Sequence, residues 1–422
     1  MIKKVCYLTA VLLIFSAFGN QGSIKANSEQ AHAVLVPGSG TYSRKISTQN
    51  PQAQAFFDQG LRLAWGFYFP ESIASFQEAA RMDPDHPMHF WGMAYAMGPN
   101  PNSRYAQMPD DPKGEGLKAI KKALDRIDLA TPLEAKLISA LHVLYDQQTI
   151  PDQDERDQAY LAAMRSLNQE YPDDPDITAL YAASYMSMKR WDYWDGEGNP
   201  KAETIPVAEA LEHIIAQDLS HPGVFHLHIH LIEASLEPER ALVSADALEA
   251  TVPIAGHVVH MPSHIYVRVG QYGKAVENNI RSQAVDRQFA NLWGDHPLPN
   301  IGTYPLSHRI HAGHALDFIR YAATVQGNYK TASEAAWRMA NRITGDAVMV
   351  RGGQKGVSAP WLVLKIFGKW DELLALTPAH QGTPYLDGIW SYSIGSAHLA
   401  KGNIDAAFQE LVNLKTIAEA PN

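Results

Sequence analysis

The sequence predicts an all-α fold, a solenoid of stacked helical hairpins. Three observations lead there. Alanine-rich stretches at helical period fill most of the 422 residues, while the alternation expected of strands is almost absent. One turn chemistry recurs between paired helices: Gly270-Gln271-Tyr272, Gly327-Asn328-Tyr329, Gly368-Lys369-Trp370 and Gly402-Asn403-Ile404. The composition, 46% hydrophobic and 19% charged, is that of a chain that buries a core.

At the N-terminus, Lys3 and Lys4 precede an apolar run from Val5 to about Gly19, which small residues end. The run is too short to span a bilayer, so residues 1–26 are expected to be a secretory signal peptide. The protein is then expected in the periplasm or outside the cell, cleaved after Gly19 or Ala26. Cys6 lies at the start of the apolar run, so no lipid anchor is expected and the mature chain would hold no cysteine. Disulfides, thiolate zinc sites and a cysteine nucleophile are thereby excluded. Losing Lys3, Lys4 and Lys25 would take the formal charge from −10 to −13, which argues against nucleic acid as a partner. No other apolar run is long enough for an integral membrane segment.

Residues 27–422 are expected to form the solenoid. The first hairpin occupies about 54–98, and its second helix stops at Met82-Asp83-Pro84-Asp85. Histidine-rich central repeats follow at about 205–340, and C-terminal repeats at about 355–418. In the unit 263–289, Gly270–Tyr272 makes the turn and Ala275 is the small residue at the helix crossing. Three polar and aromatic loops interrupt the pattern, at 99–115, 190–206 and 290–313. Long loops in a helical protein commonly pack over a site.

The Gly-x-aromatic turn, the small residue and the Asp-Pro stop resemble the tetratricopeptide (TPR) repeat. The four turns lie 57, 41 and 34 residues apart, so the repeats are degenerate and carry insertions. The resemblance implies a TPR-like right-handed superhelix with a concave face.

Of 18 histidines, twelve fall between His213 and His314, far above an even spread. The first cluster is His226-x3-His230-x2-Glu233. At about 100° per residue these three share one face of a helix and His228 points away. The second is His257, His260 and His264. Pro262 opposes one continuous helix and suits the first turn of a new one, with His257 and His260 in the turn before it. The third pairs His314 with Asp317 at i, i+3, with His308 and His311 in or near the N-terminal turn of the same helix. Neighbouring hairpins of a solenoid place equivalent faces along one concavity, so convergence of the three clusters is expected. His142, His213 and His398 are expected to be ordinary hydrogen-bonded residues. The candidate metal ligands are therefore His226, His230, Glu233, His257, His260, His264, His314 and Asp317.

Residues 56–102 and 172–286 are similar to a bacterial family of exported TPR-domain proteins. The likeness is carried by FDQGL (57–61), DPD (83–85), WG (91–92), GPN (98–100), WDYWD (191–195), HPG (221–223), the H-x3-H-x2-E-A-S of 226–235, and GHVVHMPSHIY (256–266). The resemblance supports the helical-repeat fold and points to His226, His230, His257, His260, His264 and His314. It implies no particular reaction. The family carries a further H-x2-H before a helix, where this chain has His314-x2-Asp317.

Imidazoles and carboxylates without sulfur suit zinc, copper, iron or manganese. Eight candidates exceed the needs of one ion. Either two ions bind, or some of these groups orient the true ligands. Open positions could activate water for hydrolysis, or dioxygen. H-E-x-x-H and G-x-S-x-G do not occur, and Gly352–Gly356 lacks the spacing of a phosphate-binding loop. Two functions follow. One is a metal-dependent hydrolase or oxidase, its site capped by the Trp191–Trp194 and Leu298–Pro305 loops. The other is a non-enzymatic TPR scaffold that takes a peptide, an envelope protein or a small molecule in its groove.

Overall fold

Helix starts are set by proline and by capping side chains. In a computed structural model, which describes residues 31–101, 112–217, 220–299, 308–377 and 382–420, eight helices open on proline. They are α1 (Pro51–Trp65), α3 (Pro87–Met97), α4 (Pro112–Leu124), α5 (Pro132–Tyr145), α7 (Pro175–Lys189), α9 (Pro222–Ile232), α12 (Pro262–Arg268) and α18 (Pro384–Ala400). Proline fits there because its missing N–H has no intrahelical partner to lose. Side chains cap several of these ends: Asn50 for α1, Asp174 for α7, His221 for α9, and a reciprocal Thr131–Glu134 box for α5. The expected signal peptide lies outside the described residues.

The remaining helices are α2 (Phe69–Met82), α6 (Gln153–Glu170), α8 (Thr204–Ala216), α10 (Leu242–Thr251), α11 (Gly256–His260), α13 (Tyr272–Trp293) and α14 (His308–Val325). They are followed by α15 (Tyr329–Ala340), α16 (Arg351–Ile366), α17 (Trp370–Leu374) and α19 (Ile404–Glu419). The described residues contain no extended strand; an isolated bridge joins Trp194 and Pro200. No helix there is long and apolar enough to cross a membrane.

The four Gly-x-x turns share one geometry. Gly270, Gly327, Gly368 and Gly402 all have φ between 64° and 78°. The residue after each glycine donates its N–H to a carbonyl five residues back: Gln271 to Tyr266, Asn328 to Ala323, Lys369 to Leu364 and Asn403 to His398, all at 2.8–2.9 Å. This is a Schellman closure, and glycine supplies its left-handed residue without a Cβ clash. The first hairpin makes the same closure, with Tyr68 N–H on the Leu63 carbonyl at 2.9 Å. There the left-handed slot holds Phe67, at φ 61°.

Helices stack largely on their sequence neighbours, as a solenoid requires. The core is correspondingly segmented. One large cluster runs from Ala33 to Ala322, and two smaller ones serve α14 and the hairpins after it. Two departures from serial stacking position the site. Helix α9 also packs on α1, α7 and α12, and α11 packs on both α13 and α14. The segment before α1 binds across the first hairpins, with Arg44 paired to Asp174 and Asp176 and Ser47 bonded to Glu134.

Candidate metal centre

Helix α9 carries FHLHIHLI with every side chain buried. His226 and His230 lie one turn apart on the face toward α1 and α11. The His226 Nδ1–H donates to the Trp65 carbonyl at 2.5 Å, and the His230 Nδ1–H donates to Glu233 Oε1 at 3.0 Å. Each ring therefore turns Nε2 inward. His257, from α11, brings its Nε2 to 3.1 Å from that of His226. The His230 Nε2 is buried without a hydrogen-bond partner. Ligand atoms of these three rings lie within 4.8 Å of one another, and all three residues are buried.

A second trio adjoins the first. His260 is the last residue of α11, His264 lies in α12 and His314 in α14, and their ligand atoms also fall within 4.8 Å. The His260 Nδ1–H donates to Asn279 Oδ1 at 2.6 Å. The Asn279 amide is oriented by its own N–H bond to the Ala275 carbonyl at 2.8 Å. His264 Nδ1–H donates to Glu233 Oε2. The two Nε2 atoms of His260 and His264 then face each other at 2.9 Å. In neutral rings with both Nδ1 protons committed, that is two lone pairs in contact. Such an arrangement calls for a cation at the pair, a proton or a metal ion. Donors of a tetrahedral zinc-type ion at about 2.0–2.1 Å lie roughly 3.4 Å apart, close to these spacings. The trios are neighbours: the rings of His230 and His264 are 5.7 Å apart and those of His257 and His260 are 6.0 Å apart.

Burial acts on the two α9 imidazoles. Burial and the adjacent His230 push His226 well below the usual imidazole range. Burial likewise lowers His230, against the opposing pull of Glu233. Burial works to raise Glu233, but the His264 and His230 rings beside it hold its carboxyl well below the usual carboxylate range. A neutral ring with a fixed Nδ1–H and an inward Nε2 is the form that binds metal.

The other sequence candidates sit as follows. His228 points away, with Nδ1 on Ser244 Oγ at 2.8 Å and Nε2 toward Glu212 at 3.3 Å. Glu233 spends both oxygens on the Nδ1 protons of His230 and His264. Asp317 was expected beside His314 as a ligand. Its carboxylate instead pairs with Arg320 at 2.7 Å and with Lys355, outside both trios, because two cationic side chains lie within ion-pair reach of it. His308 and His311 fall in the first turn of α14, and their side chains lie outside the described residues. In the 190–206 loop, the Trp191 ring stands edge-on to His230 at 5.0 Å, and the Trp194 indole donates to the Leu231 carbonyl at 2.7 Å. Most of the expected Leu298–Pro305 cap lies outside the described residues.

Several supporting groups had no signal in the local sequence pattern. Phe67 packs on all three rings of the first trio, at centroid distances of 4.3, 5.8 and 5.4 Å to His226, His230 and His257. Phe318 does the same for the second, at 4.8, 4.7 and 5.0 Å to His260, His264 and His314. Both Phe67 and Trp191, at φ 61° and 67°, are non-glycine residues in left-handed backbone. Such strain collects where surrounding structure enforces it for function. Helix α11 is fastened by Tyr68, whose hydroxyl bonds Asp286 and receives the Gly256 N–H at 2.9 Å. A Cβ at Gly256 would meet Asp286 Oδ1 at 2.0 Å, so only glycine allows this approach.

No family model matches the chain, and no curated protein does. Among solved structures, a human IFIT1 dimer with PPP-AAAA matches at 12% identity over 87% of this chain and 73% of its own, with a TM-score of 0.40. The TPR domain of P58(IPK) matches at 12% identity over 86% of this chain and 92% of its own, with a TM-score of 0.23. Both are loose likenesses among helical-repeat chains and speak neither to the trios nor to a reaction.

Proposed function

We propose that this is an exported helical-repeat protein built around a paired transition-metal centre, with His226, His230 and His257 holding one ion and His260, His264 and His314 the other. The observation that carries this reading is the inward set of Nε2 atoms, four of whose rings have their Nδ1–H fixed by a carbonyl, an amide oxygen or Glu233. Acceptors behind each ring are the usual companions of metal-bound histidine. A metal ion would meet both facing Nε2 lone pairs at 2.9 Å and the His314 ring beside them, whereas a proton would serve the pair alone.

The donor set narrows the metal. Six imidazoles with no carboxylate among them suit zinc or copper; manganese prefers oxygen donors, and the common iron site includes a carboxylate. Three ligands per ion leave positions for water or dioxygen, so a zinc pair would support hydrolysis and a copper pair oxidation. The aromatic walls of Phe67, Phe318 and Trp191 favour the second, because they offer an apolar surround to a small apolar substrate. The basic start and short apolar run of residues 1–26 support export.

Elemental analysis of protein purified without an affinity tag tests the reading. About two zinc or copper ions per chain are expected, and His230→Ala and His260→Ala should each release one. Metal below about 0.1 per chain after loading and desalting would sink the centre. A metal-free chain that co-purifies with a peptide or envelope protein, whatever chelator is present, would instead establish the scaffold reading.

A further inference from the structure

We infer that Glu233 is a shared positioning residue, one carboxylate that sets the ligand geometry of both trios at once; this rests on the paired-centre reading above. The residue ends α9, where its backbone N–H still bonds the Ile229 carbonyl at 2.9 Å. Its Oε1 receives His230 Nδ1–H at 3.0 Å, and its Oε2 receives His264 Nδ1–H. His230 belongs to the first trio and His264 to the second. The two oxygens thus serve different ions. The backbone around Glu233 is itself clamped. Arg268, at the end of α12, donates to the Glu233 carbonyl at 2.5 Å and to the Ser235 carbonyl at 2.9 Å.

The chemistry requires a carboxylate. An ionised carboxylate accepts at both ends, whereas an amide accepts at one and donates at the other. Glutamine at this position could serve only one ring. Its NH₂ would face the other ring and demand a lone pair at that Nδ1. The proton would then favour Nε2, the atom that faces the ion, and that trio would bind its ion more weakly. The two sites are therefore coupled through one side chain. Moving either ring moves the carboxylate that holds the other.

The test compares wild type with Glu233→Gln and Glu233→Asp, using zinc and cobalt(II) as probes. Wild type is expected to retain two zinc ions through desalting. E233Q should retain one, with the second site weakened about 10–100-fold, the usual cost of losing an outer hydrogen-bond partner. The cobalt(II) ligand-field absorption should fall by about half, from loss of one three-imidazole chromophore. E233Q binding two ions at unchanged affinity, with an unchanged spectrum, would overturn the inference and leave the paired centre standing. Wild type binding fewer than two ions would overturn the paired centre itself. Should E233Q not fold, E233D decides. It keeps both acceptor oxygens but withdraws them together, so both sites should weaken in step, and weakening of one site alone would contradict the sharing.

Discussion

The two histidine trios offer the same imidazole donors in opposite surroundings. His226, His230 and His257 are no more than 4% exposed, sealed by Phe67 and flanked by Trp191. In the second trio His260 is buried, His264 half-buried and His314 exposed. The first is assembled by α1, α9 and α11, where the largest hydrophobic core lies. The second joins α11 and α12 to α14, at the border of that core and the smaller clusters beyond it. Burial makes the first trio part of the fold, and exposure leaves the second open to solvent. One carboxylate joins them.

The largest expected effect separates them by stability. His226→Ala removes a fully buried ring and strands the Trp65 carbonyl it satisfies. In metal-free protein this should cost about 2–4 kcal/mol, the range for cavities with an unsatisfied polar group. His314→Ala, at an exposed position, should stay within about 0.5 kcal/mol. Urea unfolding in the presence of chelator measures both, since bound metal would otherwise add its own linkage. Equal costs would erase the distinction between a fold-embedded site and an open one.

Much of the second structural level was legible in the residues. The four glycine turns predicted four hairpins and each has the left-handed glycine. The spacing of His226, His230 and Glu233 placed them on one face, and His228 does point away. What could not be read was assignment. His257 and His260 are three residues apart and looked like partners, yet they serve different trios, because α11 ends at His260 and α12 begins at Pro262. Glu233 looked like a ligand because spacing shows proximity and says nothing of which atoms meet. Asp317 looked like one too, although Arg320 at i+3 offered a local warning. The Trp65 carbonyl is 161 residues from His226, and Phe67 is equally remote, so only tertiary contact reveals them.

A second, smaller effect sharpens the buried side. Glu71, fully buried near Asp286, receives no hydrogen bond from another residue on either carboxyl oxygen, and burial pushes it up to about 8. Its ordinary value is 4.5, so below that pH the carboxyl is protonated in folded and unfolded chains alike and contributes no pH dependence. As pH rises from there toward 8, the unfolded chain ionises while the folded chain keeps its proton, and stability falls. The limiting slope is about 1.4 kcal/mol per pH unit, and relaxation will reduce it. Glu71→Gln should therefore match wild type near pH 4.5 and exceed it by about 2 kcal/mol at pH 8, read by thermal or denaturant unfolding across pH. A constant difference across pH would show that Glu71 is ionised throughout.

The smallest effect on stability concerns the door between the two environments. Trp191 is 44% exposed and sits in left-handed backbone at φ 67°, a conformation that costs a non-glycine residue roughly 1–2 kcal/mol. Trp191→Gly relieves that strain and gives up a half-exposed ring, so stability should move by less than about 1 kcal/mol. Its consequence should appear in metal exchange. In wild type, a chelator should withdraw the ion at His314 at least about tenfold faster than the ion at His226, because the buried site must first open locally. Losing the ring that stands against His230 uncovers the first trio and should speed only the slow phase. Stopped-flow with a chromogenic chelator resolves the two phases. If W191G leaves both rates unchanged, the ring is packing and the buried ion exits elsewhere; if the slow phase quickens alone, a strained residue is retained where glycine would relieve the backbone because it guards one ion of the pair.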